Sequence, residues 1–230
     1  MPLKSLLASG KDKKSFAFII CVSDEMMYRE ACYYIQKLKI PRGMSIEIIP
    51  IKDAACMAAG FNAGMTETDA KYKIYMHQNV SILNPNFLED ILTIFKSDKK
   101  IAMIGMIGNV ELPPDAVSWH GERVGNVYEL DPDNMDFRNY SYSLKDGLYD
   151  VECVDGFLMA TSMDMRWKQE EFDSWDFYDM AQCFEMRKKG MRVVVPEQKK
   201  PWCAHDEGVN NRWGFDTYRK RFMKLYMEKE

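Results

Sequence analysis

The sequence has no excess of basic residues. Its 31 Lys and Arg stand against 35 Asp and Glu, a net charge of −4, so nothing is left over to neutralise a phosphate backbone and no nucleic-acid partner is expected. Long apolar runs are missing too. The longest, FAFIICV at 16–22, falls far short of the about 18 residues that span a bilayer. The N-terminal extension, residues 1–14, lacks the roughly 7–15-residue apolar core of a signal peptide. A cytoplasmic protein with no transmembrane segment is the expectation. None of the six cysteines belongs to a C-x-x-C pair, and their apolar contexts read as reduced core thiols. The first strand is followed by VSDEMMYRE, which has no glycine. That counts against a dinucleotide fingerprint and a P-loop. There is no G-x-S-x-G elbow for acyl transfer.

What is present suits one domain over residues 1–230. The chain has 230 residues, 47% of them hydrophobic, enough for a substantial core. FAFIICV (16–22) reads as a buried strand. The helix after it places Met27, Ala31, Tyr34, Ile35 and Leu38 on one face, with Asp24 positioned to cap it. SIEIIPI (45–51) is a second strand, and 53–65 a helix of small residues. YKIYM (72–76) is a third strand. Asn84 and Pro85 supply an N-cap and first helical position for a third helix, and IAMIGMI (101–107) is a fourth strand. This alternation predicts a mainly parallel central sheet with helices on both faces, a three-layer α/β/α arrangement.

The alternation then stops. WHGERVGNVYEL (119–130) predicts a small antiparallel hairpin, and the polar stretch 131–147 a mobile loop. A further helix ends at Gly190, RVVVP (192–196) is a strand, and 209–228 is an amphipathic C-terminal helix whose aromatic stripe predicts packing. Basic Arg219, Lys220 and Arg221 on it suggest peripheral contact with anionic lipid.

In open α/β sheets ligands bind beyond the carboxyl ends of the strands. That rule gathers Ser23 and Asp24 after the first strand, Asp53 after the second, and His77, Gln78 and Asn79 after the third. His205 lies in CAHDEG, beside Asp206 and Glu207. A divalent ion held by imidazole, carboxylate or amide oxygen and a substrate diphosphate accounts for both clusters. A hydrogen-bonded strand-end His77 and a surface-loop His205 account for them equally well, and residue chemistry alone leaves both readings open.

The order of motifs resembles the GT-A glycosyltransferases, in the family-2-like group that uses nucleotide-diphospho-sugars, with a branch related to a streptomycin-biosynthesis protein domain as the nearest likeness. IICVSDE, EIIPIKDA, GFNAGM, YMHQNVSI, VDGFLMAT, WDFYDMAQCFEMRKKGMRVVVP and CAHDEG follow one another across 16–225. The resemblance implies a GT-A, Rossmann-like fold. It places Ser23, Asp24, Asp53 and Asn62 at the nucleotide. It makes His77, Gln78 and Asn79 the metal segment, with His205 completing the shell of Mn²⁺ or Mg²⁺. Asp179 takes the catalytic-base position, 11 residues before Gly190, with Asp176 one turn earlier as the other candidate. Asp155 and Gly156 line the sugar and acceptor site, and the aromatic face of Trp119 suits a sugar platform.

The implied reaction moves a sugar from a UDP- or dTDP-sugar to a hydroxyl acceptor, such as a glycan or lipid-linked sugar, with inversion. Lys199, Lys200 and Arg212 are candidates for neutralising diphosphate charge. The departure is Asn79, where the family usually has an acidic residue. A neutral oxygen attracts a hard cation less, so the ion is held by the diphosphate, His205 and water, or else the protein is a sugar-nucleotide or glycan-binding module that has lost catalysis. A nucleotidyltransferase on a similar fold fits less well, because the first strand lacks the Gly-rich basic loop.

Overall fold

The structure is a computed structural model that describes residues 12–131, 136–142, 147–206 and 214–228. Its centre is β1 (Asp12–Val22), whose residues Phe16 to Ile20 are fully buried. A strand apolar on both faces needs a layer on each side, and β1 lies between parallel neighbours β2 (Ser45–Lys52) and β3 (Ala70–His77). β2 is an edge strand, which accommodates Pro50 and its missing N–H.

β11 (Leu158–Thr161) runs antiparallel to β3 and to β5 (Ile101–Gly105), and β12 (Arg192–Pro196) runs parallel to β5. β9 (Leu148–Asp150) closes the far edge. The order is β2-β1-β3-β11-β5-β12-β9, and β2, β1, β3, β5 and β12 point the same way.

Successive side chains send two cores to opposite faces. Ile19, Tyr75, Met103 and Met159 join the side covered by α2 (Met57–Thr66), α4 (Tyr178–Lys188) and α5 (Phe215–Tyr226). Phe18, Ile74, Ile104 and Leu158 join the side covered by α1 (Glu25–Ile35) and α3 (Phe87–Ser97). On α5, Phe222 is wholly buried against Phe177, Phe184 and Tyr226. Lys73 sits inside and donates to Asp164 (2.8 Å) and to the Ala70 carbonyl (2.6 Å).

Several boundaries differ from the sequence reading. IAMIGMI is not one strand. It breaks at Met106, and its second half becomes β6 (Ile107–Asn109) of another sheet. The break is fixed from outside: the Met106 carbonyl accepts from Asn126 N (3.3 Å) and Gln198 Nε2 (2.7 Å). The hairpin of β7 (Arg123–Asp131) and β8 (Asp136–Tyr142) is part of a six-stranded sheet, with β10 (Cys153–Val154), β6, β13 (Cys203–His205) and β4 (Val80–Ile82).

β8 therefore occupies much of the stretch expected to be a mobile loop, while 132–135 and 143–146 lie outside the described residues. Residues 12–14 of the expected extension belong to β1, and 1–11 are also outside. α3 starts at Phe87 rather than Pro85, because Asn84 Oδ1 accepts from Asn86 N (2.9 Å) in a turn of its own. The C-terminal helix starts at Phe215, with 207–213 outside the described residues. Arg219 is engaged by Asp216 and the Asp115 carbonyl, and Arg221 by Asp173 and the Glu171 carbonyl. Both arginines of the helix thus make intramolecular bonds. Among the described residues no helix is long and apolar enough to cross a membrane.

Candidate active site

The parallel strands β1, β2 and β3 deliver their carboxyl ends to one rim. There Gln78 acts as a clasp. Its Oε1 accepts from the backbone N–H of both Ser23 and Asp24 (2.8 Å each), and its Nε2 donates to Ser23 Oγ (2.8 Å). Asp24 caps α1 by accepting from Met26 N and Met27 N (2.8 and 3.0 Å). Asp53 is exposed at the end of β2 with φ +55°, a left-handed conformation costly for a non-glycine and common at ligand sites. Asn62 faces inward instead. Its amide donates to the Trp167 carbonyl (2.9 Å) and Gln169 Oε1 (2.7 Å), and accepts from Trp167 N (2.9 Å). These three bonds anchor α2 to the 167–169 segment and use both amide hydrogens.

His77, at the tip of β3, shares a 2.7 Å hydrogen bond between its Nε2 and the Tyr178 hydroxyl. Withdrawal from solvent, then the neighbouring His205, pushes its pKa down to about 3, so it is neutral. His205 is no surface-loop residue: β13 lies between β4 and β7, and the ring is buried, stacked on Phe157 at 4.8 Å between centroids. Among the described residues neither of its nitrogens has a hydrogen-bond partner. Asn79 donates its amide to the Asp206 carbonyl, and Asp206 N donates to the Asn79 carbonyl (3.0 Å). That ties the turn after β3 to the end of β13.

A cavity of about 320 Å³ opens beside these residues. Asp179 lies on the first turn of α4, at the cavity wall. Its Oδ1 accepts from Met180 N (2.8 Å), and the Gly156 N–H also donates to it. The first turn of a helix favours an ionised carboxylate. Withdrawal from solvent dominates instead, with Asp155 adding repulsion, and together they push the pKa up to about 7.

Gly156 is required by proximity, since a Cβ there would lie 2.2 Å from the Tyr178 hydroxyl. Asp155 is held by Arg123 Nη2 (3.1 Å). Trp119 reaches the cavity from a short turn (Ser118–His120), leaning on Phe215 of α5 at 5.2 Å. Asp176 also lines it, its pKa raised by burial. Lys199 and Lys200 line a separate, larger cleft of about 630 Å³ with Trp202 and Tyr128; Arg212 is outside the described residues.

The sequence matches the model of the glycosyltransferase-like family over residues 17–226. The chain belongs to that family. Similar solved structures show the GT-A fold. Staphylococcus aureus TarS 1–349 in complex with UDP superposes with a TM-score of 0.58 at 9% identity, over 94% of this chain and 67% of that one. GalNAc-T7 with UDP, GalNAc and Mn²⁺ gives 0.57 at 9%, over 87% and 45%. TarS with UDP-GlcNAc gives 0.56 at 8%, over 86% and 60%. The chain thus spans 45–67% of the length of these chains. No match was found among curated proteins.

In this glycosyltransferase-like protein the site expected to hold a divalent ion has an unusual donor set. Among the described residues no three His, Cys, Asp or Glu side chains converge. His77 is engaged by Tyr178, and Asn79 by Asp206. His205 fits a ligand role, since an imidazole buried with both nitrogens unbonded is costly unless something binds it. Its Nδ1 lies 3.6 Å from Glu129 Oε1, beyond hydrogen-bond reach. Glu129, Arg123 and Tyr178 carry no site signal in the sequence; the strand register and helix placement bring them to the cavity.

Proposed function

We propose that the protein transfers a sugar from a nucleotide-diphospho-sugar to a hydroxyl acceptor with inversion, Asp179 acting as base. The observation that carries this is Asp179 itself: a carboxylate at the wall of a cavity, with a pKa of about 7, is suited to accept a proton near neutral pH. The acceptor oxygen loses its proton to Asp179 while bonding to the anomeric carbon. The carbon–oxygen bond to the diphosphate breaks on the opposite face and leaves its electron pair there. The nucleotide lies along the rim of Ser23, Asp24 and Asp53, and the sugar and acceptor fill the cavity between Asp155, Gly156 and Trp119. A divalent ion, Mn²⁺ or Mg²⁺, with His205 as a ligand, would offset the charge of the departing diphosphate.

A UDP- or dTDP-sugar is the proposed donor, in keeping with UDP and UDP-GlcNAc in the TarS complexes. A glycan or lipid-linked sugar is the proposed acceptor. The corresponding location is cytoplasmic, peripheral at a membrane where the acceptor is lipid-linked.

The test is slow hydrolysis of a UDP- or dTDP-sugar without acceptor and its acceleration with one, followed by release of the nucleoside diphosphate. Asp179→Asn is expected to lower acceptor-dependent turnover by about 10²–10⁴-fold. Full activity in that variant removes Asp179 from the role of base. Asn79, neutral and turned to Asp206, favours one second reading, a binding module that has lost catalysis. It predicts nucleotide-sugar binding with no nucleoside diphosphate released from any donor.

A further inference from the structure

We infer that Glu129, on β7, supplies the carboxylate ligand that Asn79 withholds, so the ion sits between the side chains of Glu129 and His205 and not at the turn after β3. This rests on the donor-binding reading above. β13 has a neighbour on each side, and the register pairs His205 with Val80 on β4 and with Glu129 on β7. The turn bearing Asn79 borders the β4 side. There the side chain is neutral and donates to the Asp206 carbonyl, so it presents no negative oxygen to a cation. Glu129 flanks the same histidine from the other side.

Three observations point to an ion at this second flank. His205 is 5% exposed, with both ring nitrogens unbonded, an arrangement that needs a partner. Its Nδ1 and Glu129 Oε1 are 3.6 Å apart. Two donors each about 2.1 Å from one ion lie about 3.0–3.5 Å apart at the usual coordination angles, so a small approach brings both onto a single cation. Glu129 also lines the same cavity as Asp155, Gly156 and Asp179, which leaves the ion's remaining positions facing the space proposed for the donor. Two protein ligands are enough for a hard ion that takes its other oxygens from water and a diphosphate.

The experiment measures Mn²⁺ binding to the full chain by loss of the free-ion paramagnetic resonance signal, with and without UDP. UDP binding in EDTA is measured in parallel by calorimetry. Glu129→Gln, nearly isosteric, is expected to weaken Mn²⁺ binding in the presence of UDP by at least about tenfold, with UDP binding in EDTA unchanged. Asn79→Asp added to Glu129→Gln is expected to restore Mn²⁺ binding, which a misfolded variant could not do.

Glu129→Gln that binds Mn²⁺ like the wild type overturns the inference. So does a variant whose UDP binding in EDTA falls as much as its Mn²⁺ binding, since Glu129 would then be structural. A wild-type protein that binds UDP but no Mn²⁺ overturns the inference while the donor reading stands. One that binds neither overturns both.

Discussion

Asp179 has opposed consequences for activity and stability. Its raised pKa means the folded protein retains a proton that the unfolded chain, with an ordinary carboxyl near 3.8, has released. Between pH 4 and 7 the native state therefore binds more protons than the unfolded state, and stability falls as pH rises through that window. Above pH 7 the cost is fully present. Asp179→Asn, expected to be nearly inactive, should match the wild type in thermal unfolding at pH 4. At pH 8 it should be more stable, by on the order of 2–4 kcal/mol. Equal melting at pH 8 would mean that the carboxyl keeps an ordinary pKa and lacks the basicity proposed for it. The cavity thus holds a group that the fold alone would not select.

At the scale of elements, the passage from one sheet to the other at Met106 depends on Gly125, its neighbour across the strands. Gly125 has φ +118°, and a Cβ there would fall 2.1 Å from the Met106 carbonyl oxygen. Gly125→Ala is expected to cost at least about 1–3 kcal/mol, read as a lower denaturation midpoint. An unchanged midpoint would show that β7 can shift away from Met106.

The same junction marks where sequence reading stops working. In the first hundred residues most elements announce themselves: a continuous apolar run for β1, Asp24 for the start of α1, alternating strands and helices of ordinary length. IAMIGMI carries no such punctuation, because its break is imposed by Asn126 and Gln198 from far along the chain. β10, β13 and β4 have two or three residues each, too few for any periodicity, so their existence depends on their partners. That is why His205 reads as a loop residue yet is buried. The resemblance pointed to Asp179, whereas nothing in the sequence pointed to Glu129, since its place beside His205 comes from the pairing of β7 with β13.

For the whole molecule, the Gln78 clasp and the Asp24 cap fix the β1 rim with hydrogen bonds of the protein's own. A ligand meeting a pre-set rim loses little affinity to ordering it. Melting should therefore respond directly to occupancy, by RT ln(1 + [L]/Kd), or about 2.7 kcal/mol at one hundred times Kd. Among UDP, dTDP, GDP and CDP, one of the first two is expected to give the largest rise in melting temperature, and to gain further from Mn²⁺. A response from none would remove the donor reading.

Five of the six cysteine thiols are buried, on β1, at the start of α2, and on β10, α4 and β13. Burial raises the thiol pKa of Cys21 and of Cys183 to about 12. Alkylating reagents consume the thiolate, so in the native protein each such sulfur reacts only when its surroundings open. The rate at which each is modified is then a clock for its own region. Cys153 on β10 keeps time for the cavity wall and Cys21 for the β1 rim, and a bound donor would slow the two clocks by different factors, mapping its footprint with the protein's own sulfurs.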